Sequence, residues 1–295
     1  MRVSVVIPTL NASAFIVPLL ELLRTQSRRP DEVLVVDSDS MDGTAALARR
    51  HGAQVLAICR ERFDHGATRD WALRQSHGDI VLFLTQDALP ADKRYVERLL
   101  TPFEDPRIAA ASGRQLPRPE ARLYVKAVQS YRYPAQNRIW DTADADTLGL
   151  RAFHLSDACA AYRRSAYEAV GGFAASLPTN EDMLIASVFL KEGWRLAYCA
   201  DAAVLHSHNF TFRQEYLRNR QVGRFLARYA SCLGGGELDE GMRMVRTVSL
   251  QLLRGGHVWE CAAFALNCAV RLLGSRAGRH DEARQQRRQS RTREV

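Results

Sequence analysis

The sequence predicts an α/β domain: a mainly parallel sheet with flanking helices, followed by a helical C-terminal extension. Three observations carry this. Four short apolar runs, at residues 3–8 (VSVVIP), 32–37 (EVLVVD), 54–58 (QVLAI) and 79–84 (DIVLFL), read as strands buried on both faces. Helix-like stretches at roughly 12–26, 43–51 and 66–76 lie between them, which is the spacing of βαβ units. A chain of 295 residues with 46% apolar and 25% charged residues is long enough to bury a core without disulfide or metal staples.

In order, each predicted strand of the first half runs into a helix, and right-handed crossovers then put helices on both faces. In such a sheet a ligand sits beyond the carboxyl ends of the strands. Those ends are polar here: Pro8-Thr9-Leu10-Asn11, Asp37-Ser38-Asp39-Ser40 and Thr85-Gln86-Asp87. One such cluster is ordinary turn chemistry, whereas three in one half-chain outline a cleft. After Asp105 the pattern loosens. Pro117 and Pro119 mark a loop, and residues 124–140 read as an aromatic and basic amphipathic helix, either part-buried or facing an acceptor with Trp140. Residues 155–162 (LSDACAAY) look like a strand, 181–192 like a helix started by Thr179-Asn180 with acids in its first turn, and 202–208 (AAVLHSH) like a strand ending in His206 and His208 on one face. The last third is helical at 212–231, 242–253 and 257–273. These boundaries divide the chain into a domain at 1–210, a helical region at 211–275 facing a membrane or a dimer partner, and a basic tail at 276–295. The tail holds seven arginines against Asp281, Glu282 and Glu294, has few apolar residues, and is expected to be disordered.

The formal charge is +8 and comes almost wholly from arginine, since Lys93, Lys126 and Lys191 are the only lysines. Excess cation attracts nucleotides, nucleic acid or an anionic bilayer. There is no run of eighteen apolar residues, and the N-terminus lacks the pattern of a signal peptide. The six scattered cysteines form no CxxC, so neither a zinc site nor a disulfide framework is suggested, and they read as reduced core residues. A cytoplasmic protein, peripheral on the inner face of the cell membrane, is the expected setting. An amphipathic interfacial helix fits the region 257–273 better than a spanning one, and packing on a second copy as a homodimer is the alternative. No GxGxxG follows the first strand, no GxxxxGK[ST] occurs and no GxSxG is present, which removes the main support for a dinucleotide dehydrogenase, a P-loop kinase and an α/β hydrolase.

What remains is a carboxylate-ringed cleft on a nucleotide-accepting sheet. VSVVIPTLN, VLVVDSDSMDGT, HGATRDWALRQSHGDIVLFLTQDA, VGGF and NEDM occur in the order found in family 2 inverting glycosyltransferases, and over residues 1–210 the chain resembles that family. The details FDHGATRD and HSHNFTFRQEY are most similar to the bacterial rhamnosyltransferase branch. The resemblance implies the GT-A fold, a Rossmann-like sheet, and a nucleotide-sugar donor, for that branch dTDP-L-rhamnose. It implies a lipid-linked oligosaccharide acceptor in O-antigen-type polysaccharide synthesis, and Mg²⁺ or Mn²⁺.

Residue by residue, the resemblance implies donor-nucleotide contacts at Pro8, Thr9, Asn11, Asp37, Asp39, Arg69 and Gln86. The family often pairs acids at the start of its second motif. Here Ser38 follows Asp37 and an acid returns at Asp39, so the base contact is divided between those two. Thr85-Gln86-Asp87 falls where the family carries DxD, with Asp87 the surviving acid and His208 a second metal ligand; His206 meets ligand or substrate phosphate. Glu181-Asp182 matches the family's ED. An inverting transfer needs a carboxylate to take the acceptor's proton, so Asp182 is the expected general base and Glu181 its orienting neighbour. With no positive neighbour such a base should have a raised pKa. Arg218, Arg220 and Arg224 are candidates for phosphate, with Arg220 the substrate-binding choice. Three rivals stay open: a UDP- or GDP-sugar donor on the same fold, a non-catalytic nucleotide- or RNA-binding protein, and a nucleotidylyltransferase. The RNA reading lacks an RNA motif or stacking platform, and no nucleic-acid partner is expected. The nucleotidylyltransferase would want a Gly-rich basic loop where PTLNAS stands.

Overall fold

The computed structural model describes residues 1–175, 177, 179–233 and 237–293, with side chains for all of these except 146, 237–239 and 289–293. Its first half follows the predicted alternation: β1 (Val3–Thr9), α1 (Ser13–Arg24), β2 (Glu32–Asp37), α2 (Thr44–Arg50), β3 (Gln54–Ala57), α3 (His65–Gln75) and β4 (Ile80–Leu84). These strands pair in the order β3-β2-β1-β4, all parallel. Every residue of β4 is buried, as an interior parallel strand requires. The period of two then separates two cores. Val3, Val5 and Ile7 join Ile16, Leu19 and Leu23 of α1 on one face. Val6, Leu34, Val36 and Phe83 join Ala72 and Leu73 of α3 on the other. Each such aliphatic or aromatic side chain contributes about 1.5–3 kcal/mol by leaving water.

The second half is mixed. It comprises β5 (Leu89–Pro90), α4 (Tyr95–Leu100), β6 (Ile108–Leu116), α5 (Leu123–Arg132), β7 (Arg138–Trp140), α6 (Thr142–Leu148), β8 (Cys159–Arg163), α7 (Arg164–Ala169), α8 (Glu181–Lys191) and β9 (Arg195–Leu205). The sheet continues β4-β8-β6-β9-β5, with β7 also on β9. β8 is antiparallel to β4 and β6, whereas β6 and β9 are parallel. Because β8 runs against β4 with Leu84 opposite Cys159, the residues after β4 and those before β8 meet at one end of the sheet. That register brings the TQD segment beside the segment around Asp157.

Past β9 come α9 (Phe212–Arg228), α10 (Ala230–Leu233), α11 (Glu237–Arg254) and α12 (Val258–Arg293). α11 and α12 seat Val248, Leu252 and Phe264 on Tyr124 and Ala127 of α5, which docks the extension on the sheet domain. α12 lies along α9 with backbones nearly touching. A Cβ at Gly278 would collide with the Arg220 carbonyl, and one at Gly223 with that of Ser275, so only glycine permits this approach. Ion pairs then run down the seam: Arg220 Nε to Asp281 Oδ2 at 2.6 Å and Arg228 Nε to the buried Glu282 at 2.8 Å.

The disorder expected of residues 276–295 is thereby corrected. Residues 276–293 continue α12, and 294 and 295 lie outside the described residues. The two acids that look like dilution in a basic run are what α9 holds. No described helix is long and apolar enough to cross a membrane. The outer face of α11 and α12 nevertheless exposes Leu253, Val258, Trp259 (88% exposed), Leu266 and Leu273. Cys59 and Cys232 are exposed rather than in the core, and no disulfide forms among the described residues.

Candidate active site

At the carboxyl ends of β1 and β2 the predicted nucleotide residues gather. Thr9 is buried beside Pro8 and donates its hydroxyl to Asp37 Oδ1 at 3.1 Å. Asp37 Oδ2 accepts the amide of Ser40 at 3.1 Å. Asn11 ties the same loop, accepting Met41 N at 2.9 Å, while its own amide donates to Ser40 Oγ at 2.8 Å. Asp39 is exposed and accepts Arg60 N at 2.8 Å. Asn11 (φ 50°), Asp39 (φ 55°) and Asn180 (φ 64°) have left-handed backbone, each at this rim or just before α8. They are the only non-glycine residues so placed among those described, and such strain gathers where a loop must present groups to a ligand.

Asp87 faces two imidazoles. His206 Nε2 is 3.6 Å from its Oδ1 and His208 Nε2 3.6 Å from its Oδ2, and the two ring nitrogens are 3.1 Å apart. His206 Nδ1 lies 2.8 Å from Gln115 Oε1, an acceptor, so that nitrogen carries the proton and Nε2 turns its lone pair toward Asp87. Burial lowers the pKa of His206 to about 4, against the pull of Asp87, and likewise lowers that of His208, so both rings are neutral, the form that ligates metal. One carboxylate oxygen and two imidazole nitrogens within 4.8 Å of one another fit a divalent first-row cation. His208 is held by stacking on Phe210 (4.8 Å), and Arg118 donates to the Asp87 carbonyl at 2.6 Å. β9 ends at Leu205, so the two histidines lie just beyond it, not within it. His206 joins the metal-competent trio, where substrate contact was expected of it.

The third group is acidic. Asp157, Glu181 and Asp182 surround Arg69, whose Nη1 donates to Glu181 Oε1 at 2.7 Å and whose Nε is 3.5 Å from Asp157 Oδ2. Gly66 makes this possible: a Cβ there would stand 2.6 Å from the Ala174 carbonyl and against Glu181, so α3 could not approach α8. Asp182 Oδ1 accepts its neighbour Met183 N at 2.7 Å and Oδ2 accepts Asp157 N at 3.3 Å. Asn180 makes no capping bond of its own, so Asp182 takes an orphan amide of the helix start. Burial, then the charges of Asp157 and Glu181, raise the Asp182 pKa well above the carboxylate range. Burial raises Asp157 to about 7 against the opposing pull of Arg69, and Tyr162 donates to it at 2.6 Å. One guanidinium cannot neutralise three carboxylates, so the cluster retains a proton near neutral pH.

The two groups are joined. Gln115, which fixes His206, donates through Nε2 to Ser156 Oγ at 2.7 Å, and Ser156 precedes Asp157. Asp87 and Asp182 are therefore connected by a relay of contacts through His206, Gln115, Ser156 and Asp157, whose amide Asp182 accepts.

Several expected contacts are corrected. Arg69 is buried among carboxylates and does not face the nucleotide loops, because α3 turns it toward α8. Gln86 is a clip: its amide accepts Leu10 N at 2.8 Å and donates to Leu10 O at 3.3 Å, fastening the β1 loop to the end of β4. Trp140 is largely buried, with its indole N–H donating to Ala152 O, and the face it leaves open lines the cleft beside the C-terminal helices. Arg220 faces α12 with Arg224, four residues on, whereas Arg218 lies over the Phe210 ring at 5.5 Å beside the histidines. Sequence reading missed Gln115, Arg118 and Asp157. Asp157 alone left a signal, an acid inside the apolar run LSDACAAY.

Comparison with known proteins agrees with this geometry. The model of the family described as Glycosyl transferase family 2 matches residues 4–171, more than half of the chain. The chain is 35% identical to O-antigen chain rhamnosyltransferase RfbN of Salmonella typhimurium over 284 residues, covering 95% of this chain and 90% of that one. It is 34% identical to O-antigen chain rhamnosyltransferase WbaN of Salmonella anatum, covering 94% and 89%. Among solved structures it is similar to the mannosyltransferase PcManGT from Pyrobaculum calidifontis in complex with GDP-Man and Mn²⁺, with a TM-score of 0.62 and 20% identity over 96% of this chain and 86% of that one. It is also similar to Staphylococcus aureus TarS residues 1–349 in complex with UDP-GlcNAc, with a TM-score of 0.56 and 16% identity over 96% and 93%. The GT-A-like sheet, the ordered strand-end motifs and the family match agree, and the chain belongs to glycosyl transferase family 2.

Proposed function

We propose that this glycosyltransferase moves L-rhamnose from dTDP-L-rhamnose, with inversion, to a lipid-linked or polysaccharide acceptor of O-antigen-type biosynthesis. The observation that carries the reading is the connection of a metal-competent Asp87/His206/His208 trio, through Gln115 and Ser156, to the buried carboxylate pair Asp157 and Asp182. The rhamnose assignment is supported by the names of the two relatives at 35% and 34% identity. Thr9, Asn11, Asp37 and Asp39 form the rim for base and ribose. Asp87, His206 and His208 would hold a divalent cation, as Mn²⁺ accompanies the nucleotide sugar in PcManGT. That ion would neutralise charge on the departing diphosphate. Asp182 takes the acceptor hydroxyl's proton as that oxygen attacks the anomeric carbon, while Glu181 and Asp157 hold the base in place and keep its pKa high. A panel of nucleotide sugars tests the donor: dTDP-L-rhamnose should support transfer at least tenfold faster than UDP- or GDP-sugars. Turnover of a UDP-sugar with none of dTDP-rhamnose overturns the assignment.

The exposed face around Leu253, Val258 and Trp259, with Arg246 and Arg254 beside it, supports a peripheral contact with an anionic bilayer. Trp259→Ala should weaken sedimentation with phosphatidylglycerol vesicles about tenfold, the loss expected for one buried large side chain. A variant that binds vesicles normally but no longer dimerises would assign this face to a second copy.

A further inference from the structure

A cleft of about 1560 Å³ separates the sheet domain from the C-terminal helices and extends to Asn180 and Met183, the residues flanking the Glu181-Asp182 pair. Its lining includes the aromatic Tyr131 and Tyr198 of the sheet domain and the aliphatic Leu226, Met242 and Leu272 of the C-terminal helices. Into this space project Arg132, the last residue of α5, and Arg271 of α12. Arg132 makes no hydrogen bond or ion pair among the described residues. It is exposed to the cleft yet hemmed in by protein, and burial together with Arg271 and Arg218 pulls its pKa down to about 10. Arg271 has one long contact, 3.9 Å to Glu215. The lining offers no counter-charge: Glu240, its single carboxylate among the described residues, is held by Arg151 at 2.5 Å, Tyr131 at 3.0 Å and Arg243 at 2.9 Å.

A guanidinium with no partner among the described residues, lining the same cleft as a second one held only by a long contact to Glu215, marks a place for a multiply charged anion, and planar guanidinium suits phosphate oxygens. An apolar wall next to them requires that the anion carry hydrocarbon. We propose that Arg132 and Arg271 bind the phosphate or diphosphate of an amphiphilic acceptor, whose chain lies along Leu226, Met242 and Leu272 and whose sugar reaches Asp182 past Asn180. This assigns the residues that would hold the phosphate end of the lipid-linked acceptor proposed above and rests on that reading. The donor diphosphate belongs at Asp87 and the histidines. Arg218 lies between, felt electrostatically by both histidines and by Arg132, so the two anion sites are neighbours with separate arginines.

The test uses the full chain with Mn²⁺ and three probes: farnesyl diphosphate, farnesol and inorganic pyrophosphate. Farnesyl diphosphate should inhibit competitively against acceptor and not against donor, and should bind at least tenfold more tightly than either other probe. Arg132→Ala and Arg271→Gln should each weaken it about tenfold and raise acceptor KM similarly, with Arg132→Lys recovering part of the loss. Donor KM and the slow acceptor-independent release of nucleotide should not change, which also shows that the variants fold. Competition with donor, binding indifferent to Arg132→Ala, or pyrophosphate binding as tightly as the farnesyl compound would overturn the proposal. Direct titration of farnesyl diphosphate into wild type and Arg132→Ala decides the matter even if dTDP-rhamnose proves not to be the donor.

Discussion

Replacing Asp182 by Asn should lower turnover by about 10²–10⁴-fold, the range for losing a positioned general base, while donor affinity stays within about twofold. The carboxyl has no other duty toward the donor: its oxygens accept two backbone amides, Met183 N and Asp157 N, and the nucleotide rim lies on β1 and β2. Asn keeps the shape and one acceptor but cannot take a proton. Unchanged turnover with intact donor binding would remove Asp182 as the base. The same residue sets a pH signature. Its pKa is raised, so the ionised base is lost as pH falls through that raised value, and kcat/KM should climb as pH rises through it. Asp157→Asn removes a like charge that helps to raise it, so the acid limb should move to lower pH in that variant. A limb that stays in place would show that burial and the Glu181 charge, not Asp157, tune the base.

Much of this was legible because the first half of the chain is locally consistent. β1, β2 and β4 are β-branched runs with polar ends, and their strand type follows from buried faces without knowledge of the partners. β6 was not legible: IAAASGRQL is alanine-rich with a central glycine, and it is a strand because β8 and β9 flank it. The errors in the site share one cause. Arg69, Gln86 and Arg220 each sit near the expected chemistry in sequence, but a side chain's direction is set by what its element packs against. α3 turns Arg69 to Glu181, β4 presents Gln86 to the Leu10 backbone, and α12 captures Arg220 through Asp281. Gln115 was invisible for the converse reason. Its importance lies in touching His206 and Ser156, 91 and 41 residues away, and no local pattern encodes that. The tail at 276–293 was misjudged because composition gives the cost of ordering a charged segment but not the partner helix that offsets it.

Asp87→Ala should abolish measurable Mn²⁺ binding and lower turnover by about 10²-fold or more, since it removes the only carboxylate of the trio and exposes the donor diphosphate to two neutral rings. His206→Ala should do nearly as much, because a single imidazole and one acid leave too few ligands for selectivity. Gln115→Leu separates positioning from ligation. It removes the acceptor at His206 Nδ1 and frees the ring to choose the other tautomer, while all three ligand side chains remain. Loss of such an outer hydrogen bond costs about 10–100-fold in metal affinity. Saturating Mn²⁺ should therefore restore turnover in Gln115→Leu to within a few-fold of wild type, and it should not do so in Asp87→Ala. Titration of free Mn²⁺ by its paramagnetic resonance signal, beside the Mn²⁺ dependence of the rate, reads both effects. If Asp87→Ala binds and turns over as wild type does, the diphosphate is stabilised elsewhere. Arg118 and Arg218 are the cations closest to hand for that role, and the chemistry would then resemble a metal-independent transfer in which guanidinium groups carry the leaving charge.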